Sequence, residues 1–296
     1  MLPLFTFGDL VLDVVARVEG HMDMDTDTEG EVRPAPGGSA ANFAVWAARL
    51  GAAVRFAGRV GDDMLGRALV ADLRRERVEP FVVHDPERPT AVLVLFAQGT
   101  QRHMMVPRGA NHHFSAADVP EEALRTAGWL HVTGYSFFWE ATTTAAERAL
   151  DLAREAGIPV SFDPSSAGFI RRRGLKLPAG VQVMLPNLDE ALALTGAATP
   201  EAAALRLGET APLVAVKLGP EGALLCEQGR LTHVPPAVPD GPVLDTTGAG
   251  DCWGAAFITA LRDGLEPGAA AVIANRLAAR VVARMGARPA LPAPRA

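Results

Sequence analysis

Apolar runs of strand length alternate with helical stretches along most of this chain, and that alternation limits the fold more than any other feature of the sequence. The runs are Leu4-Phe-Thr-Phe7, Val54-Arg-Phe-Ala57, Trp129-Leu-His-Val132, Pro159-Val-Ser-Phe162, Val181-Gln-Val-Met-Leu185 and Leu213-Val-Ala-Val216. Between them, Ala40 to Leu50, Gly66 to Glu76, Thr142 to Ala156 and Leu188 to Leu194 carry apolar residues near a 3.6-residue period. Repetition of this kind predicts an α/β fold with a doubly wound, mostly parallel sheet and helices on both faces. Residues 14–36 and 88–108 break the rhythm, reading as strands and turns without a helix, as in Thr90-Ala-Val-Leu-Val-Leu-Phe96. They predict a small β-sheet standing off the main one as a lid; the alternative is that they extend the edge of the central sheet. The division that follows is an α/β core of residues 1–13, 37–87 and 110–296 and a β-lid of residues 14–36 and 88–109.

Composition removes several classes. The 296 residues carry a net charge of −6, and the sequence pI of about 5.7 opposes nucleic-acid binding, which favours strongly basic domains. Cys226 and Cys252 are too few for a disulfide framework. The apolar N-terminus lacks a basic flank and is broken by Asp9 and Asp13, and no uncharged apolar run is long enough to span a bilayer. A cytoplasmic protein with no membrane partner is expected. The Pro- and Ala-rich end, Pro289 to Ala296, reads as a fraying tail.

The strongest chemical signal is Asp245-Thr-Thr-Gly-Ala-Gly-Asp251, which leads from an extended segment into the helical pattern starting at Cys252. Unpaired N–H groups and the positive dipole end converge at a helix start, and Gly248 and Gly250 carry no Cβ to block an approaching phosphate. Asp251 at the rim would repel an anion, so its useful role is to take a proton from a hydroxyl attacking phosphorus. Alone, Asp251 would read as a plain helix cap. A Walker A loop is absent, because neither Lys176 nor Lys217 follows glycine. A dinucleotide fingerprint at Gly248-x-Gly250 would leave too little chain for the strands and ribose-binding acid that must follow.

A second signal is Pro36-Gly-Gly-Ser-Ala-Ala-Asn42, followed by Gly58-Arg-Val-Gly61-Asp-Asp63. Gly37 and Gly38 let backbone approach a polyol, Asn42 offers both a donor and an acceptor, and Asp13 adds a bidentate hydroxyl acceptor. Each has an ordinary structural reading as well: a turn, a surface helix residue, a strand-end carboxylate.

Taken together, these strings resemble the ribokinase-like (PfkB) carbohydrate kinase family from Gly8 to Pro292, with Asn187-Leu-Asp-Glu190, Val216-Lys-Leu-Gly-Pro-Glu-Gly222, Pro107-Arg-Gly-Ala-Asn111, Ile273-Ala-Asn275 and Arg284-Met-Gly-Ala-Arg-Pro289 as further counterparts. The resemblance implies an ATP-dependent kinase acting on a primary hydroxyl of a sugar or sugar acid, of ribokinase, fructokinase or 2-keto-3-deoxygluconate kinase type. It makes Asp251 the base and the N–H groups of Gly248, Ala249 and Gly250 the anion hole. Asp13, Gly37, Gly38 and Asn42 would hold the sugar, and Gly219, Gly222 and Asn275 would meet adenine and ribose. Asn187 and Glu190 would organise Mg²⁺-bound phosphates, Glu190 through water, although the pair also reads as a capping box. Lys217, where many relatives have a small hydroxyl residue, could reach the β or γ phosphates or be a solvated strand-end lysine. K⁺ beside Asp245 and Thr247 is a candidate activator, with Ala290 replacing the Ser often found nearby. A homodimer paired through lid strands is also implied.

Departures weaken particular substrates. Val11 stands where ribokinases usually carry Asn, and Asp163-Pro-Ser-Ser-Ala167 keeps only the start of a motif common in ketodeoxygluconate kinases. Arg102 and Arg108 are candidate lid contacts to a carboxylate or phosphate. A nucleoside kinase of the same family and a non-catalytic sugar-binding homologue are the alternatives. The acids from Asp23 to Glu29 lack the residues of a calcium loop and are expected to line a solvated strand face. Trp46, Trp129 and Phe257 read as core, Trp253 as a wall beside the base, and His112-His113 as diverging side chains.

Overall fold

The computed structural model describes residues 1–18, 25–98, 101–106 and 109–291. Its strands in the first half are β1 (Leu4–Phe7), β2 (Val11–Val18), β3 (Glu31–Gly37), β4 (Val54–Gly61), β5 (Val78–Asp85), β6 (Val92–Gln98) and β7 (Gln101–Met105). The second half adds β8 (Trp129–Thr133), β9 (Val160–Asp163), β10 (Val183–Met184), β11 (Leu213–Lys217), β12 (Ala223–Glu227) and β13 (Arg230–Val234). The helices are α1 (Ser39–Arg49), α2 (Met64–Arg75), α3 (Glu121–Arg125), α4 (Glu140–Ala156), α5 (Ala167–Arg173), α6 (Leu188–Thr195), α7 (Pro200–Gly208), α8 (Ala249–Arg262) and α9 (Pro267–Val282). No helix among the described residues is long and apolar enough to cross a membrane.

The nine-stranded sheet runs β13-β12-β11-β10-β9-β8-β1-β4-β5. It is parallel from β11 to β5, and β12 and β13 close one edge antiparallel. Side chains from α1, α2, α8 and α9 form one core and those from α3, α4, α6 and α7 the other, on opposite faces. Burial on both faces is why the central strands read as continuous apolar runs. Helix α1 is studded with Ala40, Ala41, Ala44, Ala47 and Ala48, all buried, and α8 meets it with Gly254, Ala255 and Ala256. Small side chains let the two helix backbones approach closely, which brings their N-terminal ends together.

The irregular stretches form a separate four-stranded sheet, β3-β2-β6-β7, with no strand of the central sheet in it. Extension of the central edge, the alternative from the sequence, is not what forms. Asp25, Asp27 and Glu29 are exposed but lie ahead of β3 in no strand, so the expected strand face is not there; Asp23 falls outside the described residues. Asp63 ties the second sheet down. Its Oδ1 caps α2 through Gly66 N–H at 2.8 Å and accepts from Thr90 Oγ1 at 2.8 Å, while its Oδ2 accepts from Thr90 N–H at 2.8 Å. Thr90 Oγ1 in turn accepts from Gly61 N–H at 3.0 Å.

Removing that carboxylate loses a helix cap and a tether to β6 at once. Asp63→Ala is expected to lower unfolding free energy by about 1–3 kcal/mol, read as a lower midpoint in a urea melt. An unchanged midpoint would mean the tether contributes nothing.

Candidate active site

Gly248 precedes α8 with φ 71°, and a Cβ built there would lie 2.7 Å from Ala287 Cα. Only glycine accepts both the left-handed backbone and that approach. Asp245 shapes the turn: its Oδ1 accepts from Thr247 N–H at 2.9 Å and Thr247 Oγ1 at 2.6 Å, and its Oδ2 accepts from Gly286 N–H at 2.9 Å. Asp245 and Thr247, proposed around K⁺, are therefore bonded to one another and to the C-terminal segment. Ala249 N–H donates back to Thr246 O at 3.2 Å, so the expected anion hole is narrower than three consecutive amides. Gly250 and Asp251 are the second and third residues of α8, whose N–H groups have no earlier helical carbonyl to reach.

Asp251 is gripped from α1. Ser39 Oγ donates to its Oδ1 at 2.7 Å and Asn42 Nδ2 to its Oδ2 at 2.8 Å. Burial pushes its pKa up to about 6 against the pull of these two donors, with Asp163 adding to the rise and Lys217 opposing it. The sequence placed Asn42 in the sugar site but passed over Ser39; the hydroxyl directly after the glycine pair was the available signal. Arg288 was missed too, and its Nε donates to Asn42 Oδ1 at 2.7 Å.

On the other side of α8 lies a cavity of about 760 Å³ lined by Asn187, Lys217, Gly219, Gly222, Gly250 and Asn275 among others. Every residue expected on the nucleotide side except Glu190 lines it. Trp253 and Val238 contribute to a largely apolar wall, the usual character of a ligand pocket. Asn275 is held by Trp253 Nε1, which donates to its Oδ1 at 2.8 Å, and its own Nδ2 donates to Pro235 O at 2.8 Å. Trp46 and Phe257 are core, and Trp129 is half-buried against it.

Asn187 and Glu190 form a capping box, with Asn187 N–H donating to Glu190 Oε2 at 2.8 Å and Asn187 Nδ2 to Oε1 at 2.7 Å. Burial and nearby Asp163 raise the Glu190 pKa to about 7. Asp163, unnoticed in this role from sequence, pairs with Lys217 Nζ at 2.5 Å. Burial disfavours the ammonium, but Asp163 and Glu190 outweigh it and raise its pKa. Lys217 is thus neither solvated nor free; its Nζ lies 3.6 Å from a Cβ built on Gly250, beside the helix start.

The acceptor-side residues converge opposite the cavity. β2 pairs with β3 in a register that puts Val11 against Gly37, and the Asp13 carboxylate covers the Gly37 α-carbon, where a Cβ would stand 2.0 Å from Oδ2. Gly38 has φ 99° and leaves no room for a side chain beside Asp9 O. Burial raises Asp13 to about 6 even though Arg288 pulls it down. Arg108 lies outside the described residues, and Arg102 is placed in β7 by backbone only. His112 is buried and stacked on Trp139 at 3.9 Å while His113 is exposed, so the two diverge.

A family model described as pfkB family carbohydrate kinase matches residues 1–294. A fructokinase of Escherichia coli is 30% identical across 98% of this chain and 96% of its own length. Among solved structures, a putative ribokinase II from E. coli in complex with ATP and Mg²⁺ superposes with TM-score 0.85 at 25% identity, over 97% of this chain and 94% of that one. An adenosine kinase from Sinorhizobium meliloti shares the fold with TM-score 0.86 at 24% identity, over 98% and 96% of the two chains. With the match running through both glycine turns and the helix that carries Asp251, this chain belongs to the pfkB family of carbohydrate kinases.

Proposed function

We propose that this kinase transfers the γ-phosphoryl group of Mg-ATP to a primary hydroxyl of a sugar or sugar acid, as a fructokinase, ribokinase or 2-keto-3-deoxygluconate kinase would. The proposal rests on one observation: the Asp251 carboxylate, oriented by Ser39 and Asn42, stands in the first turn of a helix whose leading residues line the cavity. In that place it separates a nucleotide compartment from the Asp13, Gly37 and Gly38 segment.

Phosphoryl transfer asks a protein mainly for positioning and for charge stabilisation. The unpaired N–H groups at the start of α8 provide the second, aimed where negative charge accumulates. Asp251 takes the proton of the attacking hydroxyl. With a pKa near 6 it is ionised at neutral pH yet more basic than an ordinary carboxylate, which suits a general base. Lys217 supplies a fixed positive charge next to Gly250.

No cluster of three or more metal-ligating side chains exists among the described residues. That fits Mg²⁺, which typically relies on one or two carboxylates with water and phosphate oxygens. Glu190 would hold it through water, with Asn187, which lines the cavity and is bonded to the buried Glu190 carboxyl. When bound, the ion neutralises phosphate oxygens.

Adenosine is tested beside the sugars, because a nucleoside acceptor would use the same base and helix start and an adenosine kinase shares this fold. ADP release is expected with at least one of D-fructose, D-ribose, 2-keto-3-deoxygluconate and adenosine. Asp251→Asn should lower kcat by about 10²–10⁴-fold with the KM for ATP little changed; full activity would remove Asp251 as base. Since the base must be ionised, log kcat should fall below about pH 6 with a slope of at least one, and a flat acid limb would contradict this. Glu190→Gln should raise the Mg²⁺ concentration for half-maximal rate roughly tenfold or more, measured by titrating Mg²⁺ at saturating acceptor.

A further inference from the structure

Arg288 brings a positive charge from the end of the chain to the acceptor side of the site. Its backbone is clamped: Trp46 Nε1 donates to Ala287 O at 3.0 Å, and Arg49 Nη1 donates to Arg288 O at 3.1 Å and Pro289 O at 3.0 Å. Pro289, expected to begin a fraying tail, is therefore held by Arg49, and residues 292–296 of that tail lie outside the described residues. The guanidinium turns inward, its side chain 6% exposed. Nε donates to Asn42 Oδ1 at 2.7 Å, Nη2 to Gly37 O at 3.1 Å and Nη1 to Asp72 Oδ2 at 3.2 Å.

A guanidinium only donates. Asn42 must therefore turn its oxygen toward Arg288, which leaves its Nδ2 to face Asp251. A flipped amide would set an oxygen lone pair against the carboxylate. The same cation holds the Gly37 carbonyl, next to which the Asp13 carboxylate lies. A charge this enclosed is costly unless its partners are in place, and all three contacts are to residues on α1, on α2 or at the end of β3.

We propose that Arg288 is a positioning residue of the acceptor site: it sets the Asn42 amide toward Asp251 and holds the Gly37 carbonyl of the segment that the Asp13 carboxylate covers. The inference rests on the acceptor-site reading above. The charges around it are Asp13 and Asp9 from the start of β2 and the segment before it, Arg49 from α1, Asp72 and Glu76 at the end of α2, and Asp251 from α8. Arg288 stays protonated at neutral pH, since burial pushes it down only to about 10. Asp13, pushed up to about 6 mainly by burial and further by Asp9, would rise more without Arg288.

The test is a ¹³C NMR titration of the Asp13 and Asp251 carboxyl groups in the full, unliganded chain, each signal assigned by its loss in Asp13→Asn or Asp251→Asn. Arg288→Met should raise both midpoints, Asp13 by about one pH unit. Arg288→Lys keeps the charge without the fork, so Asp13 should stay near its wild-type value while Asp251 rises. Asp72→Asn leaves Arg288 in place, removes its competing carboxylate and should lower the Asp13 midpoint. If Arg288→Met fails to fold, the other two variants still decide: unchanged midpoints for both carboxyls overturn the inference. A wrong kinase assignment would show separately, as absence of ADP release by the wild type, and would not move these midpoints.

Discussion

An enclosed carboxylate survives only where donors meet it, and Asp251 is met by two from a helix more than two hundred positions away in sequence. Ser39 and Asn42 lie in the first turns of α1, and Asp251 lies in the first turn of α8. The pair of hydrogen bonds therefore fixes the relative position of two helix starts. Everything at the site is referred to that junction. The cavity opens behind α8, and the glycine pair that leads into α1 lies outside its lining. Small residues along both helices make the close approach sterically available, and the bonded carboxylate sets its register.

Electrostatics follow from the same crowding. Asp13, Asp251 and Glu190 are all raised to about 6 or 7 because burial strips water from them. Two cations offset part of that. Lys217 pairs with Asp163 beside the cavity, and Arg288 faces Asn42, Gly37 and Asp72. Asp13 and Asp251 are thus basic for their type yet ionised near neutrality, a useful state for groups that accept protons or hydrogen bonds.

Much of this is legible before any coordinates. The strands at Leu4, Val54, Trp129 and Leu213 begin where their apolar runs begin, because burial on two faces leaves a local signature. Gly248 and Asp251 stand out because a helix start with glycines and an acid is a local chemical object. β10 shrinks to Val183–Met184, and the antiparallel edge of β12 and β13 depends on partners distant in the chain. Ser39 carried a weak signal, Asp163 and Arg288 almost none in these roles, since an aspartate after a strand or an arginine near a terminus is common and its partner lies far off.

What the residues determine alone is what neighbours in sequence can dictate: the helix starts, the turns that only glycine can make, the alternation that demands a covered sheet. Tertiary structure alone decided that Lys217 is paired rather than solvated and which way the Asn42 amide points. Those outcomes depend on which charges are brought within a few ångströms after the chain has closed on itself, where water no longer screens them.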